Sequence, residues 1–265
     1  MTTESLLSYL DAGCEVAWRA AAVLDEWRPR FQTREKGRFD LVTDADLASQ
    51  RVIRAFLKER FPDHDFLGEE EGAGQTRPGP GAPPTWIVDP IDGTTNYVHD
   101  FPFYCISIGL QVAEELVVGV VLDPVRKELF RAARGQGAWL NERRLQVSRI
   151  ANLGEALVAT GFPANPEEQE LSLNWWRTFS SRVQSLRRTG STALNLAYLA
   201  AGRFDAYYAF DNHVWDVAGG VVIVREAGGM VTNADGSTYG PYTADAVATN
   251  GVLQAEMLKC LREGS

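Results

Sequence analysis

Two aspartates, Asp89 and Asp92, stand three residues apart directly after a short apolar run in the stretch from Trp86 to Asn96. The apolar run predicts a buried strand that ends at Asp89, and Asp92 is then predicted to be the N-cap of a short helix. Carboxylate oxygens suit Mg²⁺, and the N–H groups of a helix start suit phosphate oxygens. This stretch therefore predicts chemistry on a phosphate ester that is assisted by a divalent cation.

Two further motifs stand at fixed places around this stretch. Gly68-Glu69-Glu70 precedes it, and Trp215-Asp216 follows it near the C-terminus. In order and spacing the three motifs resemble those of the inositol monophosphatases, a family of Mg²⁺-dependent, lithium-sensitive phosphatases, and the resemblance runs from about Asp40 to about Gly251. It implies a layered α-β-α-β-α sandwich, a homodimer and a small phosphorylated substrate.

The resemblance also implies which residues hold metal, with two or three Mg²⁺ ions in the site. Glu69, Asp89 and the backbone carbonyl of Ile91 would hold the first ion, and Asp89, Asp92 and Asp216 would hold the second. The family pattern alone favours Glu69 over the neighbouring glutamate, because spacing does not separate them. Taken singly, each acid has an ordinary alternative as a surface charge or a helix-capping group.

A catalytic pair follows from the same resemblance, which couples Asp46 to Thr94. A carboxylate can orient a Thr hydroxyl toward a water molecule, so Glu69, Thr94 and Asp46 are predicted to position and deprotonate the attacking water. Asp46 could equally serve as the N3 residue of a helix capped by Thr43, and both roles can hold at once. No covalent phosphoenzyme is predicted.

The substrate contacts are predicted at the helix starts and at one strand end. The predicted set is Asp92, Gly93, Thr94, Ser191, Thr192 and Asp211. In inositol-selective members a Glu follows the aromatic pair Tyr207-Tyr208, whereas this chain has Ala209. Asp211 either replaces that Glu or caps the next helix.

The predicted function is hydrolysis of inositol monophosphate or a similar small phosphorylated polyol. The alternatives of the same chemistry are a fructose-1,6-bisphosphatase, a histidinol-phosphatase and a 3′-phosphonucleotide phosphatase. A regulatory binding protein without catalysis is a different class, and the presence of every predicted ligand argues against it.

Composition limits the partners and the compartment. A net charge of −9 over 265 residues argues against a nucleic-acid surface. Three widely spaced cysteines predict reduced thiols in a cytoplasmic protein. Neither a secretory signal nor an apolar run of about 18 residues is visible, so no membrane partner is expected.

The alternation of predicted sheets and helices indicates a layered α+β or α/β sandwich without a linker between independent domains. The resemblance implies a single unit, with a metal-binding and catalytic half of about residues 1–150 and an α/β half of about 151–265. The predicted helices are 5–27, 44–60, 166–181, 191–201, 214–227 and 252–262. The predicted strands are 66–69, 86–88, 104–113, 116–122, 128–133, 156–159, 183–186, 204–210 and 246–249. Segments 30–39 and 71–84 are predicted to be loops.

Overall fold

The computed structural model describes residues 2–71, 79 and 81–264, in which helices and strands alternate along most of the chain. The helices are α1 (Thr3–Trp27), α2 (Asp44–Arg60), α3 (Thr94–Val98), α4 (Glu170–Ser180), α5 (Thr192–Ala200), α6 (Val214–Glu226) and α7 (Gln254–Glu263). The strands are β1 (Thr33–Gly37), β2 (Asp40–Thr43), β3 (Asp65–Gly68), β4 (Thr85–Asp92), β5 (Cys105–Val112), β6 (Glu115–Asp123), β7 (Glu128–Ala133), β8 (Ala138–Leu140), β9 (Arg143–Arg144), β10 (Leu157–Thr160), β11 (Ser185–Arg188), β12 (Ala206–Ala209), β13 (Met230–Thr232) and β14 (Ala246–Thr249).

Two sheets and three helical layers stack on one another. One sheet has seven strands in the order β3-β4-β5-β6-β7-β8-β9, and the other has five in the order β11-β10-β12-β14-β13. Helices α1 and α2 cover the outer face of the first sheet, α5 and α6 lie between the sheets, and α4 and α7 cover the second. The predicted α-β-α-β-α sandwich is thereby confirmed. Among the described helices, none combines the length and the apolar content that crossing a membrane requires.

Helix α2 begins with a capping box that fixes Asp46. The Thr43 hydroxyl oxygen accepts hydrogen bonds from the N–H groups of Ala45 and Asp46 at 3.1 and 3.4 Å, and Asp46 accepts one from the Thr43 N–H at 2.8 Å. Such caps stabilise a protein by about 0.5–2 kcal/mol. The predicted cap is confirmed, and it holds the Asp46 carboxylate in the buried first turn.

Strand β4 continues beyond the point at which the sequence predicts its end. It runs to Asp92, and its register with β5 shifts between Asp89 and Asp92, so this stretch is a bulge. The N-cap of α3 is Gly93, not Asp92, which corrects the prediction. Gly93 has φ 101°, and a Cβ there would lie 3.1 Å from the Gly190 carbonyl oxygen, so only glycine fits this turn without strain.

Helix α6 packs unusually close to the seven-stranded sheet because glycines face each other across the contact. A Cβ on Gly119 of β6 would lie 2.2 Å from the Gly219 carbonyl oxygen, and a Cβ on Gly220 would lie 2.6 Å from the Leu196 Cβ on α5. The first turn of α6 carries Asp216, so this packing fixes the depth at which that carboxylate enters the site.

Several predicted boundaries are wrong in an informative way. The predicted loop over 30–39 contains β1, which pairs antiparallel with β2 and exposes every residue, so it shows no apolar alternation. The predicted helix over 166–181 is divided into a 3₁₀ turn, Pro166–Glu168, and α4. The short strands β8, β9 and β13 were not predicted. The predicted loop over 71–84 falls largely on residues 72–78 and 80, outside the described residues. The division near residue 150 falls between β9 and β10 and stays a prediction.

Candidate active site

The predicted site residues line one cleft with two lobes. The inner lobe has a volume of about 390 Å³ and the outer lobe about 650 Å³, and Glu69, Thr192 and Asp216 line both. Among the predicted residues, the inner lobe also includes Asp89, Ile91, Asp92, Gly93, Thr94 and Ser191. Asp211 lines the outer lobe, and Asp46 lies behind Thr94. The sandwich thus brings together residues that lie up to 170 positions apart in the sequence, from 46 to 216.

Asp89 is a buried carboxylate surrounded by other acids. Its side chain is 2% exposed and accepts a hydrogen bond from the Ile91 N–H at 3.0 Å. Burial, and then the neighbouring charges of Glu69, Asp92 and Asp216, raise the pKa of Asp89 far above its ordinary value. Burial, together with Asp92 and Glu69, likewise raises the pKa of Asp216. Within the described residues, no cationic side chain forms a salt bridge with Asp89, Asp92 or Asp216.

Asp92 is held by the start of α5. Its carboxylate accepts hydrogen bonds from the Ser191 hydroxyl at 2.7 Å and from the N–H groups of Thr192 and Ala193 at 3.1 and 2.5 Å. Burial raises the pKa of Asp92 to about 6, although these three donors lower it. Ser191 is buried, and its hydroxyl positions Asp92, while its predicted contact with substrate stays a prediction.

The predicted pair of Thr94 and Asp46 is in contact. The Thr94 hydroxyl lies 3.1 Å from Asp46 Oδ1 and 3.0 Å from the Ile91 carbonyl oxygen, and its single proton can serve one acceptor at a time. The other Asp46 oxygen accepts from the Thr43 hydroxyl at 2.6 Å. Burial raises the pKa of Asp46 to about 6, partly offset by the bonds from Thr43 and Thr94.

Lys36 is a member of the site that sequence reasoning missed. Its ammonium group lies 2.5 Å from Glu69 Oε1 and 3.1 Å from Glu70 Oε1, and it lines the outer lobe. Glu69 lines the cleft, whereas Glu70 does not, and the Glu70 backbone N–H donates a hydrogen bond to Gln50 Oε1 at 3.0 Å. Sequence reasoning missed Lys36 because it did not predict the hairpin of β1 and β2, and β1 places Lys36 beside Glu69 and Glu70.

Thr192, Ala209 and Asn212 line the outer lobe, and the buried Tyr207 hydroxyl lies between the polar groups of Thr192 and Asn212. The Thr192 hydroxyl lies 3.1 Å from the Tyr207 hydroxyl, which lies 3.2 Å from Asn212 Oδ1. Asp211 is exposed on the rim with φ 67° and does not cap α6, whose N-cap is His213. The alternative of Asp211 as a helix cap is therefore wrong.

The carboxylate oxygens of the cleft suit a hard divalent cation, although in this structure they accept hydrogen bonds from protein N–H and O–H groups. Among the described residues, no three His, Cys, Asp or Glu side chains are arranged as a ready-made metal cage. Oxygen ligands in this number are nevertheless what Mg²⁺ prefers. Burial and the neighbouring carboxylates both raise the pKa values of these acids, and a bound dication would favour their ionised forms. Glu69, Asp89, Asp92 and Asp216 could hold it.

Comparisons with known proteins agree with this geometry. The model of the inositol monophosphatase family matches residues 6–264. Inositol monophosphatase 3 of Solanum lycopersicum is 42% identical over 263 residues, covering 98% of each chain. The extragenic suppressor protein suhB of Bartonella henselae has a solved structure with a TM-score of 0.90, 34% identity, and coverage of 97% of this chain and all of that one. The structure titled IMPase/NADP phosphatase complexed with Mg²⁺ and phosphate has a TM-score of 0.85, 25% identity and coverage of 97% and 95%.

The assignment to a family rests on two findings. The family model matches nearly the whole chain, and a relative that is 42% identical aligns over almost its full length. The cleft adds the carboxylates that the motifs predict, gathered at one place in the fold. The chain belongs to the inositol monophosphatase family and is a phosphoric monoester hydrolase.

Proposed function

We propose that this chain hydrolyses inositol monophosphate and similar small phosphorylated polyols in the cleft, with Mg²⁺ as the cofactor. The observation that carries the proposal is Asp89, a buried carboxylate beside three other acids with no salt bridge from the described residues. Such a charge is costly unless a cation neutralises it. The relative whose title names Mg²⁺ and phosphate supports the same cofactor.

Each acid has a proposed part in holding the metal. Glu69, Asp89, Asp92, Asp216 and the Ile91 carbonyl would supply its oxygen ligands. Bound Mg²⁺ supplies positive charge to the phosphate oxygens and acidifies water.

The protein's own proton chemistry centres on Thr94. Because the Thr94 hydroxyl can donate to Asp46, its oxygen lone pairs are left to accept a hydrogen bond from a water molecule. Asp46, with its pKa raised to about 6, is ionised at neutral pH and able to take up a proton through Thr94. Glu69, which also lines the inner lobe, is proposed to align the same water for attack on phosphorus in line with the ester oxygen.

The substrate is held by the start of α3 and by the outer lobe. The N–H groups of Gly93 and Thr94 are proposed to bind phosphate oxygens. The leaving alcohol lies toward Thr192, Ala209 and Asp211. With Ala209 in place of a carboxylate, no strong preference for inositol over other polyols is expected.

A phosphate-release assay tests this proposal. The purified protein is given inositol 1-phosphate, fructose 1,6-bisphosphate, histidinol phosphate and a 3′-phosphonucleotide, each with excess Mg²⁺ and with EDTA. We expect turnover of inositol 1-phosphate that EDTA abolishes and Mg²⁺ restores. Turnover of a different substrate at a kcat/KM at least about 100-fold higher would replace the proposed substrate, and equal turnover in EDTA would refute the proposed cofactor.

The assembly is proposed to be a homodimer, as the resemblance implies. Size-exclusion chromatography with light scattering tests this directly. A mass near twice 29.2 kDa is expected, and a mass of one chain would contradict it.

A further inference from the structure

Arg188 is a cation of the candidate active site to which the proposed chemistry gives no role. It is the last residue of β11, its side chain is exposed, and it lines the inner lobe of the cleft. Five carboxylates line the same lobe, and Arg188 is the one lysine or arginine among the lining residues that the structure describes. Its charge therefore borders the space in which the phosphate ester is proposed to bind.

Arg188 has no ionic partner in the described part of the chain, unlike the lysine and arginine that line the outer lobe. Lys36 pairs with Glu69 there. Arg38 pairs with Glu167 at 2.8 Å. Within the described residues, the Arg188 guanidinium forms no salt bridge and donates no hydrogen bond, even to the carboxylates of its own lobe. Its N–H donors are therefore available to a ligand.

An aromatic contact holds the Arg188 guanidinium beside the wall of the lobe. Its central carbon lies 5.4 Å from the centroid of the Phe162 ring, and Phe162 lines both lobes. Phe162 in turn makes an edge contact with Trp176, with the ring centroids 6.0 Å apart and the planes at 79°. A cation–π contact attracts the arginine charge without consuming its N–H donors. The contact therefore orients Arg188 and leaves its hydrogen-bonding capacity unused.

The reacting phosphate has other partners in the proposed function. Its oxygens are proposed to bind the metal and the N–H groups of Gly93 and Thr94. Because Arg188 forms no salt bridge with the acids that would hold the metal, its guanidinium stands apart from them. Gly93, Thr94 and Arg188 nevertheless line one lobe of about 390 Å³, a volume that suits one small ligand. A single substrate can therefore contact both places.

We propose that Arg188 binds a second anionic group of the substrate, a carboxylate or a further phosphate, while the reacting phosphate lies at the start of α3. This inference rests on the proposed function and extends its substrate class to small phosphate esters that carry another negative charge. A planar guanidinium can hold such a group through two parallel N–H donors, which provides both affinity and orientation. Arg188 is thus a specificity-determining residue of the cleft.

Two pairs of substrates test the proposal, and each pair differs in one charged group. 3-Phospho-D-glycerate carries a carboxylate where sn-glycerol 1-phosphate carries a hydroxymethyl group. Fructose 1,6-bisphosphate carries a second phosphate where fructose 1-phosphate carries a hydroxyl group. The measured quantity is the ratio of kcat/KM for the more anionic member to that for the other, at saturating Mg²⁺, with inositol 1-phosphate as a reference substrate.

Three variants separate the charge of Arg188 from general effects. Arg188→Gln removes the charge, and Arg188→Lys keeps it. Arg187→Gln is the matched control, because Arg187 is exposed on the same strand and lines neither lobe of the cleft. It removes an equal charge one residue away, so an effect of long-range electrostatics would appear in both Gln variants.

In at least one pair, Arg188→Gln should lower the ratio about tenfold or more, because the hydrogen bonds to a charged group are lost. Arg188→Lys should retain most of the ratio, and Arg187→Gln should leave it unchanged. The pair that responds identifies the second group as a carboxylate or a phosphate. Ratios that are the same in Arg188→Gln and the wild type for both pairs would overturn the inference, and so would equal falls in both Gln variants.

Inositol 1-phosphate separates this test from that of the proposed function. If the wild type hydrolyses inositol 1-phosphate and neither ratio depends on Arg188, the role of Arg188 is wrong and the proposed function stands. If a ratio falls in Arg188→Gln while inositol 1-phosphate is not hydrolysed by the wild type, the proposed substrate is wrong and the role of Arg188 stands.

Discussion

Asp89 and Asp123 are both buried aspartates in strands of the same sheet, yet their surroundings are opposite. Asp123, the last residue of β6, is fully buried and accepts hydrogen bonds from the Arg126 N–H at 2.9 Å and from its guanidinium at 3.0 Å. Asp89, in β4, is nearly as buried, but its neighbours include three further acids and it accepts a bond from one backbone N–H.

The difference separates a structural carboxylate from a ligand-binding one. Asp123 has an opposite charge built into the fold, so its ionised form needs nothing from solution. Asp89 carries a charge that the fold leaves uncompensated, and that charge becomes favourable when a cation binds. The contrast predicts that activity and stability respond in opposite ways at the two positions.

The largest effect is expected from Asp89→Asn. Losing one charge where the metal is held should lower kcat/KM by roughly 10²–10³-fold, since metal charge stabilisation contributes several kcal/mol. The same substitution relieves repulsion among the acids, so the metal-free variant should unfold at the same or higher urea concentration than the wild type. Near wild-type turnover at saturating Mg²⁺ would mean that Asp89 is not a ligand.

Thr94→Ala should lower kcat by about 10²-fold or more with a smaller effect on KM, because positioned proton-transfer groups contribute about 10²–10⁴-fold. Thr94→Ser keeps the hydroxyl and is expected to retain most of the activity. Steady-state kinetics on both variants distinguish the roles, and a change confined to KM would assign Thr94 to substrate binding.

Ala209→Glu should raise the preference for inositol 1-phosphate over other phosphomonoesters about tenfold, because it adds a charged acceptor to the outer lobe. The measurement is the ratio of kcat/KM values. Asp211→Ala provides the alternative: a selective loss on inositol 1-phosphate would show that Asp211 already fills this role. If neither variant changes the ratio, this wall does not determine specificity.

Asp123→Asn should lower the free energy of unfolding by about 1–3 kcal/mol, because it removes the charge of a buried carboxylate that pairs with the partly exposed Arg126 guanidinium. Neither kcat nor KM should change. Urea denaturation and kinetics on the same preparation test both statements. A loss of activity at unchanged stability would contradict the assignment of Asp123 as a purely structural carboxylate.

The smallest effect is a pH dependence of stability without metal. Because the pKa of Asp89 is raised in the folded state, that state binds its proton more tightly than the unfolded chain does, and the contribution to stability falls as pH rises above about 4. In EDTA, the stability of Asp89→Asn relative to wild type should therefore increase from pH 4.5 to pH 7.5. If the difference in stability between Asp89→Asn and the wild type is the same at both pH values, the pKa of Asp89 is not raised in the folded state.

Local patterns predicted much of this arrangement. The cap at Thr43, helix α2 and strand β7 coincide with their predicted bounds, because each depends on residues close together in the sequence. The acid motifs predicted a shared cleft, and the structure brings Asp89 and Asp216 into electrostatic contact.

Local sequence patterns could not predict the contacts between segments that lie far apart in the sequence. Ser191 donates to Asp92 across 99 positions, and a helix-starting serine has the same sequence signature whether it binds a substrate or an aspartate. Strand β1 has no apolar face, so nothing in its residues indicates that pairing with β2 brings Lys36 to Glu69.

The glycine contact between β6 and α6 has a consequence for redesign of the enzyme. A single methyl group on Gly119 would meet the backbone of Gly219, which cannot move aside as a flexible side chain could. Mutant libraries aimed at new substrates can therefore vary the cleft rim around Asp211 at low cost, whereas variation at these two positions would displace the helix that carries Asp216. The close packing of α6 on the sheet therefore limits which positions can be changed when this active site is re-engineered.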